Sequence, residues 1–193
     1  MCGRIDIDGE RLSHDISEML SFDFHVETNH DLRPTQTIQT LVSGQQGFEQ
    51  MDASWGIKPS WSKQLLINAK AETVDQKPTF KQAFRERRCI VPCSGWYEWR
   101  DEGGSRKQKY HFKHADGSPL LMAAIWYPSA AEDGSRQVVT LTTEPSTQCA
   151  EYHSRMPLLI EQENLDVWLG GKSSVPLLMI ATSKVDLFFI TSI

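Results

Sequence analysis

The chain contains no apolar run approaching the ~20 residues that span a bilayer, and its first residues lack the basic-then-apolar pattern of a secretory signal. The apolar stretches Leu177–Ile180 and Val185–Ile190 are interrupted by Ser183, Lys184 and Asp186 and read as buried strands. Cysteine is scarce: the four residues are Cys2, Cys89, Cys93 and Cys149, expected to stay reduced in the cytoplasm. Cys89 and Cys93 flank Pro92 with no second Cys or His pair at ligand spacing, so they read as small core residues and no metal site is expected. A Gly-rich phosphate loop, a G-x-S-x-G elbow and a dinucleotide fingerprint are all missing, and no organic cofactor is implied. Positive charge is also short overall, at a net −5.

That charge is unevenly spread. Between Lys58 and Arg88 eight basic residues face three acidic ones, so this segment carries +5 and the remainder −10. A basic stretch in an acidic chain is either a phosphate-facing groove or the solvated face of a helix.

With 193 residues, 39% hydrophobic and 23% charged, the chain fits one soluble domain with a real core, expected to span 1–193. Helical spacing predicts a helix over Gly9–Leu20. A hairpin follows, Ile38–Val42 returning through the Ser43–Gly47 turn as Phe48–Trp55. Trp55–Trp61 reads as a loop carrying two large aromatics, and Thr79–Arg88 as a short helix. Strands are expected at Cys89–Pro92 and Gly95–Arg100. After a turn at Asp101–Ser105, Lys109–His114 and Leu120–Trp126 read as another strand pair. Val138–Thr143 is a β-branched strand, with helices at Glu144–Tyr152 and at Gln162–Leu169, the latter ended by Gly170-Gly171. Many closely spaced strands without βαβ alternation predict an α+β fold: a strongly curved, mostly antiparallel, barrel-like sheet with a few short helices.

Four places carry chemistry. Cys2 stands directly behind Met1, and if Met1 is trimmed it becomes a 1,2-aminothiol able to attack an aldehyde twice and close a thiazolidine ring. With reference values near ~7.7–8.0 for the amine and ~8.5 for the thiol, both nucleophiles are partly available at neutral pH. Asn68, beside Lys70, offers an amide that donates and accepts next to a cation that meets phosphate, though it equally suits a cap or turn. Glu98 sits among Trp96, Tyr97 and Trp99, where desolvation would raise its pKa into the range of a general acid or base; an edge-strand glutamate in water is the plain alternative. His153 is a proton carrier or a surface histidine at a helix end. His14, His25, His30, His111 and His114 have no partners readable from the sequence.

Together these segments resemble the SRAP family (SOS response-associated peptidase, also called abasic-site processing proteins) from Cys2 to about Leu169. The resemblance rests on Met1-Cys2-Gly3-Arg4, Pro34-Thr35-Gln36, Trp55-Gly56-Ile57-Lys58-Pro59-Ser60-Trp61, Ile67-Asn68-Ala69-Lys70-Ala71-Glu72-Thr73, Arg87-Arg88-Cys89-Ile90-Val91-Pro92, Gly95-Trp96-Tyr97-Glu98-Trp99 and His153-Ser154-Arg155-Met156-Pro157 in this order. It implies the SRAP fold and a sensor that crosslinks to abasic sites in single-stranded DNA or at its junction with duplex. Cys2 would be the nucleophile, with Asn68, Glu98 and His153 as the other catalytic positions, and autopeptidase activity would remove the first residue. Arg4, Pro34, Trp61, Lys70 and Arg155 are the implied DNA contacts. The implied state is a monomer, cytoplasmic and nucleoid-associated when on DNA, with no membrane partner.

Two departures stand out. Lys70 occupies a position where the family usually has arginine, replacing a planar fork by a point charge. The family's usual continuation past the last strand is replaced by Phe188-Phe189-Ile190-Thr191-Ser192-Ile193, so that strand is expected to be short or remodelled. Two other readings stay open on the residues. A cysteine peptidase using Cys2 and His153 would turn over peptides without DNA. A non-covalent single-strand binding module would be indifferent to the lesion.

Overall fold

The computed structural model describes residues 3–45, 47–128, 134–170 and 188–193. Five strands close into a barrel: β3 (Thr37–Gly44), β4 (Gly47–Trp55), β6 (Arg88–Cys93), β9 (Leu120–Pro128) and β10 (Arg136–Thr143), in the ring order β10-β4-β3-β6-β9-β10. All neighbours in the ring are antiparallel except β4 and β10, which are parallel. Two short strands extend β10, β5 (Asn68–Lys70) in parallel and β11 (Met156–Pro157) antiparallel. A second sheet has the order β12-β8-β7-β1-β2, with β1 Ile5–Ile7, β2 Asn29–Leu32, β7 Gly95–Arg100, β8 Gln108–His114 and β12 Phe188–Ser192. This is the expected α+β, curved and largely antiparallel architecture.

The chain passes from barrel to second sheet at Ser94, whose N–H donates to the Asp6 carbonyl (2.9 Å) and whose hydroxyl accepts from Asp8 N–H (2.9 Å). Gly95 is required there: a Cβ would lie 2.5 Å from the Phe112 carbonyl and 2.7 Å from His111 Nε2. Trp96 then stacks on Phe112 (4.7 Å between centroids) and meets Phe188 edge-on (5.1 Å), which welds β7, β8 and β12 together. Helix α1 (Gly9–Leu20) buries Leu12 and Ile16, and its Ser13 and Ser17 hydroxyls accept the N–H groups of Val26 and Phe24, each at 3.0 Å. In α2 (Pro78–Glu86) the proline takes the first turn, where its missing N–H costs nothing.

The strands expected at Lys109–His114 and Leu120–Trp126 form, but not as a pair. β8 joins β7 and β12, whereas β9 joins β6 and β10. Burial explains the separation: Leu120 to Ile125 are all buried, as suits a barrel stave covered on both faces, while β8 is only partly buried. The helix expected over Glu144–Tyr152 shrinks to α3 (Thr147–Ala150), capped by the Ser146 hydroxyl accepting from Cys149 N–H (3.3 Å). The helix expected over Gln162–Leu169 splits into a 3-10 turn (Gln162–Asn164) and α4 (Leu165–Leu169), capped by Gly170. The expected strand Leu177–Ile180 lies outside the described residues, as do Gly171 and the start of Val185–Ile190. The last strand pairs with β8 from Phe188↔His114 to Ser192↔Tyr110.

Candidate active site

Strand β7 carries Glu98 on the same face as Trp96, toward the interior, and leaves the residue only 3% exposed. Burial of the carboxylate pushes its pKa up to about 7. Opposite it is His153, from the loop after α3, with Nε2 4.0 Å from Glu98 Oε2. Arg155 N–H donates to His153 Nδ1 (3.1 Å), turning Nε2 toward Glu98. Burial lowers the His153 pKa, so the imidazole is neutral at physiological pH while Glu98 is poised to gain or lose a proton.

The His153 loop is gripped on both sides. Arg100, two residues beyond Glu98, donates to the Glu151 carbonyl (3.1 Å) and lies over the Tyr152 and Tyr110 rings (4.6 and 5.1 Å). Arg155 donates to Glu72 and to the Thr142 carbonyl (2.6 Å) across β10. Glu72 belongs to the 3-10 turn Ala71–Thr73 that directly follows β5, so this contact ties the His153 loop to the strand of Asn68 and Lys70. Asn68 itself sits opposite Thr140, whose hydroxyl donates to Asn68 Oδ1 (2.6 Å). Lys70 is exposed at the end of that strand.

Strand β1 brings the start of the chain to the same place. Ile5 faces Trp96, and Tyr97 N–H donates to the Arg4 carbonyl (3.0 Å), a register that carries Gly3 to the level of Glu98. Cys2 lies outside the described residues. Arg4 pairs with Asp31 (2.7 Å) and lies over the Trp99 ring (5.9 Å).

The remaining predicted contacts lie on two turns. Pro34 precedes Thr35, whose φ of +76° is a strained conformation for a β-branched residue. The turn is held by Thr35 N–H donating to the Trp55 carbonyl (2.8 Å) and Trp55 N–H donating to the Gln36 carbonyl (3.0 Å). From Trp55 the chain continues through Gly56, at φ +113°, into a loop closed by reciprocal Ile57–Leu66 backbone bonds (3.0 and 2.8 Å). Trp61 stands on this loop, 68% exposed. A tryptophan so exposed is available to stack on a base.

The sequence reading missed Asp6. Burial pushes its carboxyl up, but the close approach of His111 (3.0 Å), a hydrogen bond from His30 (2.7 Å) and Lys113 at 3.5 Å outweigh this and hold it well below the usual carboxylate range. No local pattern signals a contact made across 24 and more residues of chain. Among the described residues no His, Cys, Asp and Glu cluster able to hold a metal occurs, and no helix is long and apolar enough to cross a membrane.

The chain is 29% identical over 182 residues to the abasic site processing protein YedK of Escherichia coli, covering 90% of this chain and 82% of that protein. To the abasic site processing protein YoqW of Bacillus subtilis it is 27% identical over 188 residues, covering 91% and 83%. Its fold is shared by a protein of Bacteroides thetaiotaomicron (TM-score 0.80, 21% identity, 100% of this chain and 92% of that one). A phage-related protein of Bordetella bronchiseptica matches as well (TM-score 0.80, 24% identity, 100% and 94%). The SOS response associated peptidase (SRAP) family matches residues 1–185, and the chain belongs to that family.

Proposed function

We propose that this protein processes abasic sites in single-stranded DNA by capturing the ring-opened sugar on Cys2 once Met1 has been removed. The observation that carries this reading is the pairing of β1 with β7. Its register takes Gly3 to the level of a buried glutamate whose pKa is about 7, with a neutral histidine facing it. Cys2 is the next residue in the chain. The relatives' printed activity, abasic site processing, agrees with this chemistry.

The steps balance without a cofactor. His153 assists opening of the deoxyribose hemiacetal, exposing the aldehyde. The Cys2 α-amine adds to the carbonyl carbon, and loss of water gives an imine. The Cys2 thiol then adds to the same carbon, its proton passing to nitrogen, and a thiazolidine closes with one water released in total. Glu98 relays these protons. Asn68 holds the N-terminal residue in register, which restricts the geometry of attack. Removal of Met1 is a hydrolysis at the Met1–Cys2 bond and supplies the free amine.

Arg4, Lys70, Pro34 and Trp61 are the groups we assign to the strand, the cations to phosphates and Trp61 to a base face. Arg155 already holds Glu72 and the Thr142 carbonyl, which favours a role in positioning His153 over a direct phosphate contact.

The test is incubation with a single-stranded oligonucleotide bearing one abasic site, followed by denaturing electrophoresis. A band that survives denaturation with the aldehydic lesion, and is missing with its tetrahydrofuran analogue, supports the proposal. Equal retention of both, or of neither, contradicts it.

A further inference from the structure

An asparagine side chain has two unlike ends: Oδ1 accepts and Nδ2 donates. Which end of Asn68 faces the reaction therefore decides what it can hold there, and the strand behind it makes that choice. β5 runs parallel to β10 with Asn68 opposite Thr140, a buried threonine of the barrel wall. The Thr140 hydroxyl oxygen stands 2.6 Å from Asn68 Oδ1 and 3.1 Å from the Ile67 carbonyl oxygen. A hydroxyl carries one proton, so it donates to one of these two acceptors and not to both.

The Ile67 carbonyl already has its donors. It accepts the Thr140 backbone N–H (3.1 Å) and the indole N–H of the fully buried Trp55 (3.2 Å). A carbonyl oxygen has two lone pairs, and these two N–H groups take both. The hydroxyl proton therefore goes to Asn68 Oδ1, which is also the nearer acceptor. Turning the amide over would set Nδ2 against the hydroxyl oxygen and send the hydroxyl proton to the Ile67 carbonyl as a third donor. Trp55 thus acts on the site from within the core, by occupying the acceptor that competes for the Thr140 proton.

We infer that Thr140 is a positioning residue that fixes Asn68 as a hydrogen-bond donor, with its Nδ2 end toward the reacting groups. The two N–H groups then hold an acceptor of the N-terminal residue and the aldehyde oxygen, which gains negative charge as the amine adds. These partners rest on the proposed function, whereas the orientation of the amide does not.

Neutron diffraction from deuterium-exchanged crystals reads that orientation without DNA. The Asn68 deuterons are expected on the atom remote from Thr140, and deuterons on the atom facing Thr140 would overturn the inference. Single-turnover capture of an abasic oligonucleotide reads the consequence. Thr140→Val keeps the shape of the barrel stave but has no proton to give. It is expected to slow capture about fivefold, as for the loss of one hydrogen bond. Its affinity for an undamaged oligonucleotide, read by fluorescence anisotropy, is expected to stay at the parent level.

Thr140→Ser, which restores the hydroxyl, is expected to recover the rate. On the residual rate of Asn68→Ala, adding Thr140→Val is expected to have no further effect, because Thr140 acts through that amide. The inference is overturned by a parent-level rate in Thr140→Val, by a serine variant as slow as the valine, or by an undiminished fivefold loss in the Asn68→Ala background. No capture by the parent, with the deuterons where expected, would remove the proposed chemistry and leave the donor assignment standing.

Discussion

Arg155 grips Glu72 with both arms of its guanidinium, Nη1 2.9 Å from Oε1 and Nη2 2.7 Å from Oε2. Burial alone would raise the Glu72 carboxyl, yet these charge-assisted bonds hold it below its ordinary value. The pair crosses β10 and fixes the loop whose next-but-one neighbour of Arg155 is His153. Glu72→Gln keeps the shape but loses the charge and one matched acceptor. The expected outcome is adduct formation slower by about tenfold, equivalent to about 1.4 kcal/mol, at unchanged affinity for undamaged strand. Single-turnover kinetics read beside anisotropy checks this, and an unchanged rate would mean the clamp does not position the histidine.

Glu98 makes stability and activity depend on pH in opposite senses. Its folded pKa is about 7 against an ordinary 4.5, so below about 4.5 it is protonated whether the chain is folded or not. As pH rises from there to about 7 the unfolded chain releases the proton first, and stability falls across that window. Glu98→Gln is expected to flatten this dependence and to gain on the order of 3 kcal/mol at pH 8. Urea titrations at several pH values measure it. The rate of capture, which draws on ionised Glu98 as base, is expected to rise through pH 7 in the parent and to lose that inflection in the variant.

Much of this arrangement could be read before any coordinates. The α1 boundaries follow from apolar spacing, and the hairpin of β3 and β4 follows from alternation around a Gly-containing turn. Glu98 was recognisable because two of its neighbours are tryptophans and a third is tyrosine, a composition that predicts desolvation. What sequence could not supply were contacts made between distant strands. β8 and β9 are adjacent in the chain and separated by a short connection, yet the continuous burial of β9 sends it into the barrel. Asp6 carries no signal in its own neighbourhood, since His30 and His111 converge on it from β2 and β8, and the Arg155–Glu72 grip joins two motifs 83 residues apart.

Thr35 stores local strain beside the Trp55–Trp61 loop. A threonine at φ +76° costs roughly 1–3 kcal/mol, and asparagine tolerates this region far better. Thr35→Asn is expected to raise unfolding free energy by about 1 kcal/mol, read as a higher urea midpoint with the same slope. A lower midpoint would show that the threonine side chain contributes more than its backbone costs.

Three of the four thiols are shielded. Cys89, Cys93 and Cys149 are buried, and desolvation raises the Cys89 and Cys93 thiols well above their ordinary value. Native protein treated briefly with iodoacetamide is expected to gain a single label, at Cys2. Prior capture of an abasic oligonucleotide is expected to block it. Peptide mass mapping distinguishes this from labelling at the buried positions.

The most direct test of the central claim is the intact mass of the complex formed with an abasic oligonucleotide, without reducing agent, for three proteins. These are the parent, Cys2→Ala, and a chain with one uncleavable residue ahead of Cys2 that keeps the thiol but blocks the amine. A thiazolidine predicts a stable species in the parent alone, at the summed mass of Met1-trimmed protein and DNA less one water. A species of that kind persisting in Cys2→Ala, or in the extended chain, would contradict capture by the paired amine and thiol.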